Sequence, residues 1–405
     1  MIKILKILIL VFVLVSCKER KGVEINPIES PAKVGSKQPF LFVNEDQLIM
    51  AWTQKVDASM FALNYSEFIE NEWTKPVEIV TGDNWFVNWA DFPAIAKKND
   101  NLLVHFLQKS DSKTFAYDVR LMLSNTNGDT WSNDFLLHND NTKTEHGFVT
   151  LLPYKEGSFF VTWLDGRNTG GGSHVDDHSS SGTMNIRAAT VLPTGHVIDD
   201  TLVDGKTCDC CQTSAAITPK GPIIVYRDRT DKEVRDIYIS RLLDGSWTIP
   251  KPIHNDNWII NGCPVNGPKA ASYGNTLAVA WFTAADAVPK VNIAFSNDSG
   301  ANFDTPIQID NDKPIGRVDV ALLDEENALV SWMESTKDAA EIKVLKVNSN
   351  GKKHESVVIS TISAARASGF PQLEIINDIV YIAWNNIIDN QSNIKIINIS
   401  LNTFD

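Results

Sequence analysis

The sequence predicts an all-β protein, a β-propeller of seven four-stranded blades (six being the alternative count), and three observations predict it. An apolar strand with an aromatic near its end recurs seven times: LIMAWTQ (48–54), LLVHFLQK (102–109), FFVTWLDGR (159–167), IIVYRDR (223–229), LAVAWFTA (277–284), ALVSWMES (328–335) and VYIAWNN (380–386). The aromatics Trp52, Phe106, Trp163, Tyr226, Trp281, Trp332 and Trp384 stand 54, 57, 63, 55, 51 and 52 residues apart, the spacing of a repeat architecture. A second series, NEWTKPVEI, DTWSNDFLL, GSWTIPKPI and ANFDTPIQI, keeps the same register and sets Trp73, Trp131, Trp247 and Phe303 just before another short strand. Thirdly, alternating segments such as VRLMLS, IYISRL and VNIAFS fill the intervals, and no helical pattern follows residue 16. Four short strands per unit suit a propeller, in which radial repetition leaves only short edges. The last unit, from Phe370 through NIKIINISL, is a strand short, and VEINPI (23–28) near the N-terminus is placed to supply it.

Ahead of the repeats, MIKILKILILVFVLVSC carries Lys3 and Lys6, then an apolar run from Ile7 to Val15, then Ser16 and Cys17. The run is too short to cross a bilayer and reads as a secretory signal. Leu14-Val15-Ser16-Cys17 resembles the lipobox of bacterial lipoproteins, which implies cleavage before Cys17 and a lipid on its thiol; an ordinary signal peptide with a chance cysteine is the alternative. The expected organisation is a signal peptide over 1–16, a lipid-anchored tether with the closing strand over 17–36, and the propeller over 37–405, in the cell envelope on the periplasmic side or at the cell surface. Removing residues 1–16 deletes two lysines and moves the formal charge from -13 to -15. With no basic cluster to offset it, this charge disfavours nucleic acid and anionic membrane surfaces, leaving the lipid as the only membrane contact.

In a propeller, the loops leading into each innermost strand gather around the central channel on one face. Counting eighteen residues back from each blade aromatic lands in these loops, at Asn88 beside Trp89, Glu145 beside His146, Cys208, Cys263, Pro314 near Arg317, and Arg366. TCDCCQTSAA (207–216) and Cys263 therefore meet in neighbouring blades. In an extended segment Cys208 and Cys210 point one way and Cys211 the other, and adjacent α-carbons lie too close for an unstrained disulfide. A cross-blade disulfide from Cys263 to Cys208, Cys210 or Cys211 is one reading, suited to an oxidising compartment. A soft-metal site for copper or zinc on Cys208, Cys210, Cys211, Cys263 and His146 is the second, and a nucleophilic cysteine the third. No cofactor is otherwise required. Asp165 and Arg167 stand at the base of a long insertion, WLDGRNTGGGSHVDDHSSSG (163–182), with His174, Asp176, Asp177 and His178 at its tip; Arg227, Asp228 and Arg229 repeat the charged strand end in the next blade. Contact with substrate or a cation fits the tip groups, as does a solvated flexible loop, while substrate contact and plain ion pairing both fit the charged strand ends.

Two turns, SNTNGDTW (124–131) and SNDSGANF (296–303), resemble the Asp-box, Ser-x-Asp-x-Gly-x-Thr-Trp, of the sialidase and BNR-repeat superfamily, with Asp298 on the pattern and Thr126 replacing the aspartate in the first copy. The resemblance implies a sialidase-like, glycan-active propeller over 37–405. Such enzymes hold a substrate carboxylate with three arginines and use a tyrosine–glutamate nucleophile pair and an aspartate acid/base. It makes Asp165, Arg167, Arg227, Asp228, Arg317 and Arg366 the candidate catalytic set, with Arg120, Arg187 or Arg227 as the third arginine. The superfamily's Phe/Tyr-Arg-Ile-Pro signature is absent: DFPAIA (91–96) and GFPQLE (369–374) keep Phe-Pro without the arginine. Sialidases also have six blades rather than seven. The expected function is binding or hydrolysis of an extracellular glycan, or another small extracellular ligand, at the channel mouth. The alternatives are a non-catalytic propeller whose cysteine sector binds metal or docks an envelope protein, and a purely structural scaffold.

Overall fold

The computed structural model describes residues 23–170 and 182–405. The signal stretch, Cys17 and the loop tip with His174, Asp176, Asp177 and His178 lie outside the described residues. Among the described residues thirty strands form seven sheets, with only three 3-10 turns, at Lys155–Gly157, Ala285–Ala287 and Leu401–Phe404. No helix there is long and apolar enough to cross a membrane. Each sheet is one blade, built from consecutive antiparallel strands except the seventh. That blade runs Gly369–Ile376, Ile379–Ile388 and Gln391–Ser400, and takes its outermost strand from Ile25–Ile28, with Ile25 opposite Ile399 and Ile28 opposite Ile396.

A four-stranded blade cannot bury both of its faces alone, so the hydrophobic core lies between blades. Seven apolar clusters correspond to the seven blade-to-blade contacts, and in each the marking aromatic of a second strand packs on the preceding blade. Trp281 joins Val225 and Ile239 of the fourth blade, Trp332 joins Ala280 and Val291 of the fifth, and Trp52 joins Tyr381 and Ile396 of the seventh. Three of the buried blade indoles find a hydrogen-bond acceptor. Trp163 Nε1 donates to Asp165 Oδ2 at 2.9 Å, Trp332 Nε1 to Glu334 Oε1 at 2.9 Å, and Trp281 Nε1 to Asp256 Oδ2 at 2.7 Å.

The two polar turns use short side chains in place of a longer loop. Ser296 Oγ accepts the Gly300 amide at 2.9 Å, while the Asp298 carboxylate accepts the Asn302 amide at 2.9 Å. Gly300, at φ +79°, takes the left-handed conformation this closure requires. Their terminal aromatics lie against neighbouring blades, Trp131 edge-on to Tyr65 at 5.9 Å and Phe303 against the cluster around Trp281.

Because Trp281 is completely buried, its replacement by alanine leaves a cavity between the fourth and fifth blades and deprives Asp256 of its donor. Trp281→Ala is expected to cost about 3–5 kcal/mol in equilibrium urea unfolding, while Ile249→Ala, at a side chain 90% exposed, stays within about 0.5 kcal/mol.

Candidate functional site: the mouth of the central channel

The innermost strands enclose a cavity of about 400 Å³ lined by residues of every blade. Four of these strands, Ser36–Asn44, His146–Pro153, Pro314–Leu322 and Gly369–Ile376, begin with a break in register. At each break one non-glycine residue sits at positive φ: Gln38 (60°), Phe148 (51°), Arg317 (54°) and Phe370 (57°). Such bulges re-aim a side chain that regular alternation would direct elsewhere. At three of them a glycine precedes the strained residue, and an added Cβ would crowd a neighbouring side chain: it would stand 2.3 Å from Asp91 Oδ2 at Gly147, 2.4 Å from Asn266 Oδ1 at Gly316 and 2.3 Å from Met333 Sδ at Gly369.

Arg317 and Phe370 are thereby brought together at the mouth. The Arg317 guanidinium lies over the Phe370 ring at 4.3 Å and over Trp89 at 5.4 Å, and Arg366 covers Trp89 at 4.5 Å. Phe370 also leans on Trp89 and Phe92, at 5.7 and 5.5 Å between centroids. Arg317 donates to the Ser368 carbonyl, yet neither arginine is ion-paired among the described residues. Burial and the neighbouring Arg366 charge push the Arg317 guanidinium down to about 10. The mouth is thus a cationic, aromatic-lined rim with unmatched positive charge.

Side-chain-to-backbone bonds lock the rim. Asn88 Oδ1 accepts the Ala90 and Asp91 amides at 2.6 and 2.7 Å, Gln38 Nε2 donates to the Asn88 and Asp91 carbonyls, and Gln212 Nε2 donates to Ala90 O at 2.9 Å. Asp91 faces the cavity and accepts the Phe148 amide at 2.8 Å. Burial, reinforced by the Glu145 charge, pushes its carboxyl up to about 7. Deeper in the channel Lys269 Nζ approaches Asp319 Oδ1 at 3.8 Å, and burial together with Asp319 pushes the Glu374 carboxyl up to about 8.

A tyrosine–glutamate pair stands next to Asp91, with Tyr117 OH donating to Glu145 Oε1 at 2.5 Å. Tyr117 is completely buried and its ring stacks on Phe86 at 3.9 Å. Its hydroxyl is therefore closed off from any molecule in the channel.

The other sequence candidates occupy different surroundings. Asp165 is completely buried and accepts Arg167 Nε and Nη2, both at 2.7 Å, as well as the Trp163 indole. This pair belongs to a network with Asp140, His146 and His138, whose imidazoles stack at 3.7 Å. Despite opposing burial, hydrogen bonds from His138 and His146 hold the Asp140 carboxyl well below the usual range. His146 thus joins Asp140 and Asp165, not the cysteines, and none of these groups lines the channel. Arg227, 1% exposed, donates to the Arg235, Asn266 and Phe282 carbonyls and covers Trp258. Burial and Asp204 push Asp228 up to about 7. Arg229 pairs with Glu233, Arg120 with Asp134 and Arg187 with Asp200. Only Arg317 and Arg366 of the candidate set meet at the mouth; the groups not anticipated there are Asp91, Phe370, Asp319, Lys269 and Glu374. The usable signal for Phe370 was the recurrence of glycine followed by a large side chain at the strand starts, as in Gly147-Phe148, Gly316-Arg317 and Gly369-Phe370.

Cys208, Cys210, Cys211 and Cys263 converge beside the rim, and none is in a disulfide. The cross-blade bridge read from the sequence is therefore not formed. Cys208 Sγ is 3.8 Å from Cys210 Sγ and 3.6 Å from Cys211 Sγ.

No family model and no curated protein matches the sequence. Among solved structures, a protein of unknown function from Dyadobacter fermentans DSM 18053 gives a TM-score of 0.51 at 10% identity, over 94% of this chain and 98% of that one. Phage phi92 endosialidase gives a TM-score of 0.50 at 11% identity, over 94% of this chain and 69% of its own. These likenesses are of fold alone: the chain is a seven-bladed β-propeller.

Glu374 supplies a pH test. A carboxyl raised in the folded state stabilises it at low pH, and that contribution is lost as pH rises from the unfolded value, near 4.3, through about 8. Glu374→Gln removes this dependence, so the variant's melting temperature is expected to gain on the wild type's steadily between pH 5 and 8. A difference independent of pH would contradict a raised Glu374 carboxyl.

Proposed function

We propose that the protein binds an anionic extracellular glycan at the channel mouth, held in the cell envelope by a lipid on Cys17. The observation that carries this reading is the pair Arg317 and Arg366, two guanidiniums on one aromatic platform with no carboxylate partner among the described residues. A planar guanidinium matches a carboxylate in a two-pronged hydrogen bond, while Trp89 and Phe370 offer flat apolar faces to a sugar ring. The protein's own carboxylates make no ion pair with either guanidinium among the described residues, and burial pushes the nearby Asp91 carboxyl up to about 7. One solved structure of this fold is named an endosialidase. At such low identity that name transfers no residue roles, so the reading rests on the rim itself.

Binding without turnover is the conclusion the geometry favours. A sialidase-like reaction would need a tyrosine at the substrate, and Tyr117 is packed beneath Phe86. The three-arginine clamp is likewise reduced to two, since Arg120, Arg187 and Arg227 are committed elsewhere.

Calorimetric titration with oligosaccharides carrying uronic or sialic acid carboxylates, against neutral sugars of equal length, tests the reading. Carboxylated chains are expected to bind and neutral ones not, with Arg366→Ala weakening binding roughly 10- to 100-fold as charge-assisted hydrogen bonds are lost. Added salt weakens the wild type's affinity more than the variant's. Equal binding of neutral sugars, or an unaffected Arg366→Ala, rejects the proposal, and release of reducing ends would replace binding by hydrolysis.

A further inference from the structure

Beside the rim, and independent of what it binds, we infer that Cys208, Cys210, Cys211 and Cys263 form a tetrathiolate site for one soft d10 metal ion, zinc(II) or copper(I). The first three come from the loop leading into Ser214–Thr218 of the fourth blade, and Cys263 from the matching loop of the fifth. One ligand atom from each of Cys208, Cys210 and Cys211 lies within 4.8 Å of the other two, and Cys210, Cys263 and Asp209 form a second such group sharing Cys210. With metal–sulfur bonds of about 2.3 Å, the edge of a tetrahedron of thiolates is about 3.8 Å. The observed separations of 3.6 and 3.8 Å around Cys208 are of that size, whereas a disulfide requires about 2.05 Å.

The surroundings are those of a ligand set. Arg235, 1% exposed, donates Nη1 to Cys208 Sγ at 3.2 Å and is itself anchored by Glu233 Oε2 at 2.8 Å. A fixed cation at a coordinating sulfur both orients the ligand and offsets the negative charge of four thiolates around one ion. Cys208 and Cys211 are buried, while Cys263 is exposed and provides the way in. The two loops are also held in register without the metal. Gln212 Oε1 accepts the Gly267 amide at 3.0 Å, and a Cβ at Gly267 would stand 2.1 Å from the Gln212 carbonyl oxygen, so only glycine permits the approach. Thiolate-only ligation selects soft ions over magnesium or calcium. Each thiol gives up its proton to solvent as the ion binds, with no change in oxidation state.

The test uses the full-length chain in detergent, reduced under anaerobic conditions and freed of reductant. Cobalt(II), reporting for zinc, is expected to give thiolate-to-metal charge-transfer and tetrahedral visible bands that saturate at one equivalent; zinc displaces them, and all four thiols become protected from alkylation. Cys263→Ser is expected to weaken zinc at least tenfold and to alter the bands. Cys210→Ser serves as a second variant, since the partly exposed Cys210 is unlike the buried pair whose loss can unfold the loop. Copper(I) in competition with a chromophoric chelator decides which ion binds more tightly. Absence of one-equivalent binding by both ions, or a folded Cys263→Ser and Cys210→Ser that bind as the wild type does, overturns the site. So does a native chain whose intact mass shows disulfides that do not exchange for metal on reduction.

Discussion

Everything in this molecule depends on burying one aromatic ring per blade against the blade before it. A four-stranded sheet of strands mostly under ten residues long has no interior, and each of the seven apolar clusters is completed only by side chains from two neighbouring sheets. The stabilisation is therefore circular: Trp281 depends on the fourth blade and Trp332 on the fifth, until Trp52 meets the seventh. The indole donors tie polar groups to the same contacts. Asp165 and Glu334 sit two residues beyond their tryptophans because alternation along a strand returns their side chains to the same face.

The rim is a by-product of that circular packing and of its local exceptions. A regular inner strand presents small and branched residues to the channel. Where Arg317 and Phe370 adopt left-handed conformations, costing about 1–3 kcal/mol each, the strand instead lifts a large side chain to the mouth. The surrounding structure sustains this strain through Asn266, whose Oδ1 accepts the Arg317 amide at 2.7 Å, and through the Asn88, Gln38 and Gln212 bonds that hold the neighbouring loop. The fourth-to-fifth blade junction, with Gln212 against Gly267, forms part of the same rim and carries the cysteines.

The periodic features of the fold were legible in the sequence because they are local and repeated. The aromatic series fixed the number of blades, and the strand deficit of the last unit drew attention to the stretch containing Ile25–Ile28. Counting back from the aromatics also located Arg366 and the pairing of the Cys208 and Cys263 loops, since loop position in a propeller follows from strand count. Which side chains face the channel was much less legible. Asp165 and Arg227 are charged strand-end residues like any candidate, but one is enclosed by Trp163 and Arg167 and the other by three carbonyls, contacts set by partners 2 to 55 residues away. Asp91 and Phe370 were within quoted stretches, yet their roles follow from burial and from a bulge that no hydrophobic pattern marks.

The clasp at Ile25–Ile28 also sets an order of events. Its four residues are synthesised long before their partners Ile396–Ile399. Until those partners are made the first strand has nowhere to pair, and the seventh blade stays open. Closing a loop of that length costs little more entropy than closing a far shorter one, because the penalty grows only logarithmically. The delay is one of timing and not of equilibrium: the chain carries its own latch from the start, and only a complete ring can engage it.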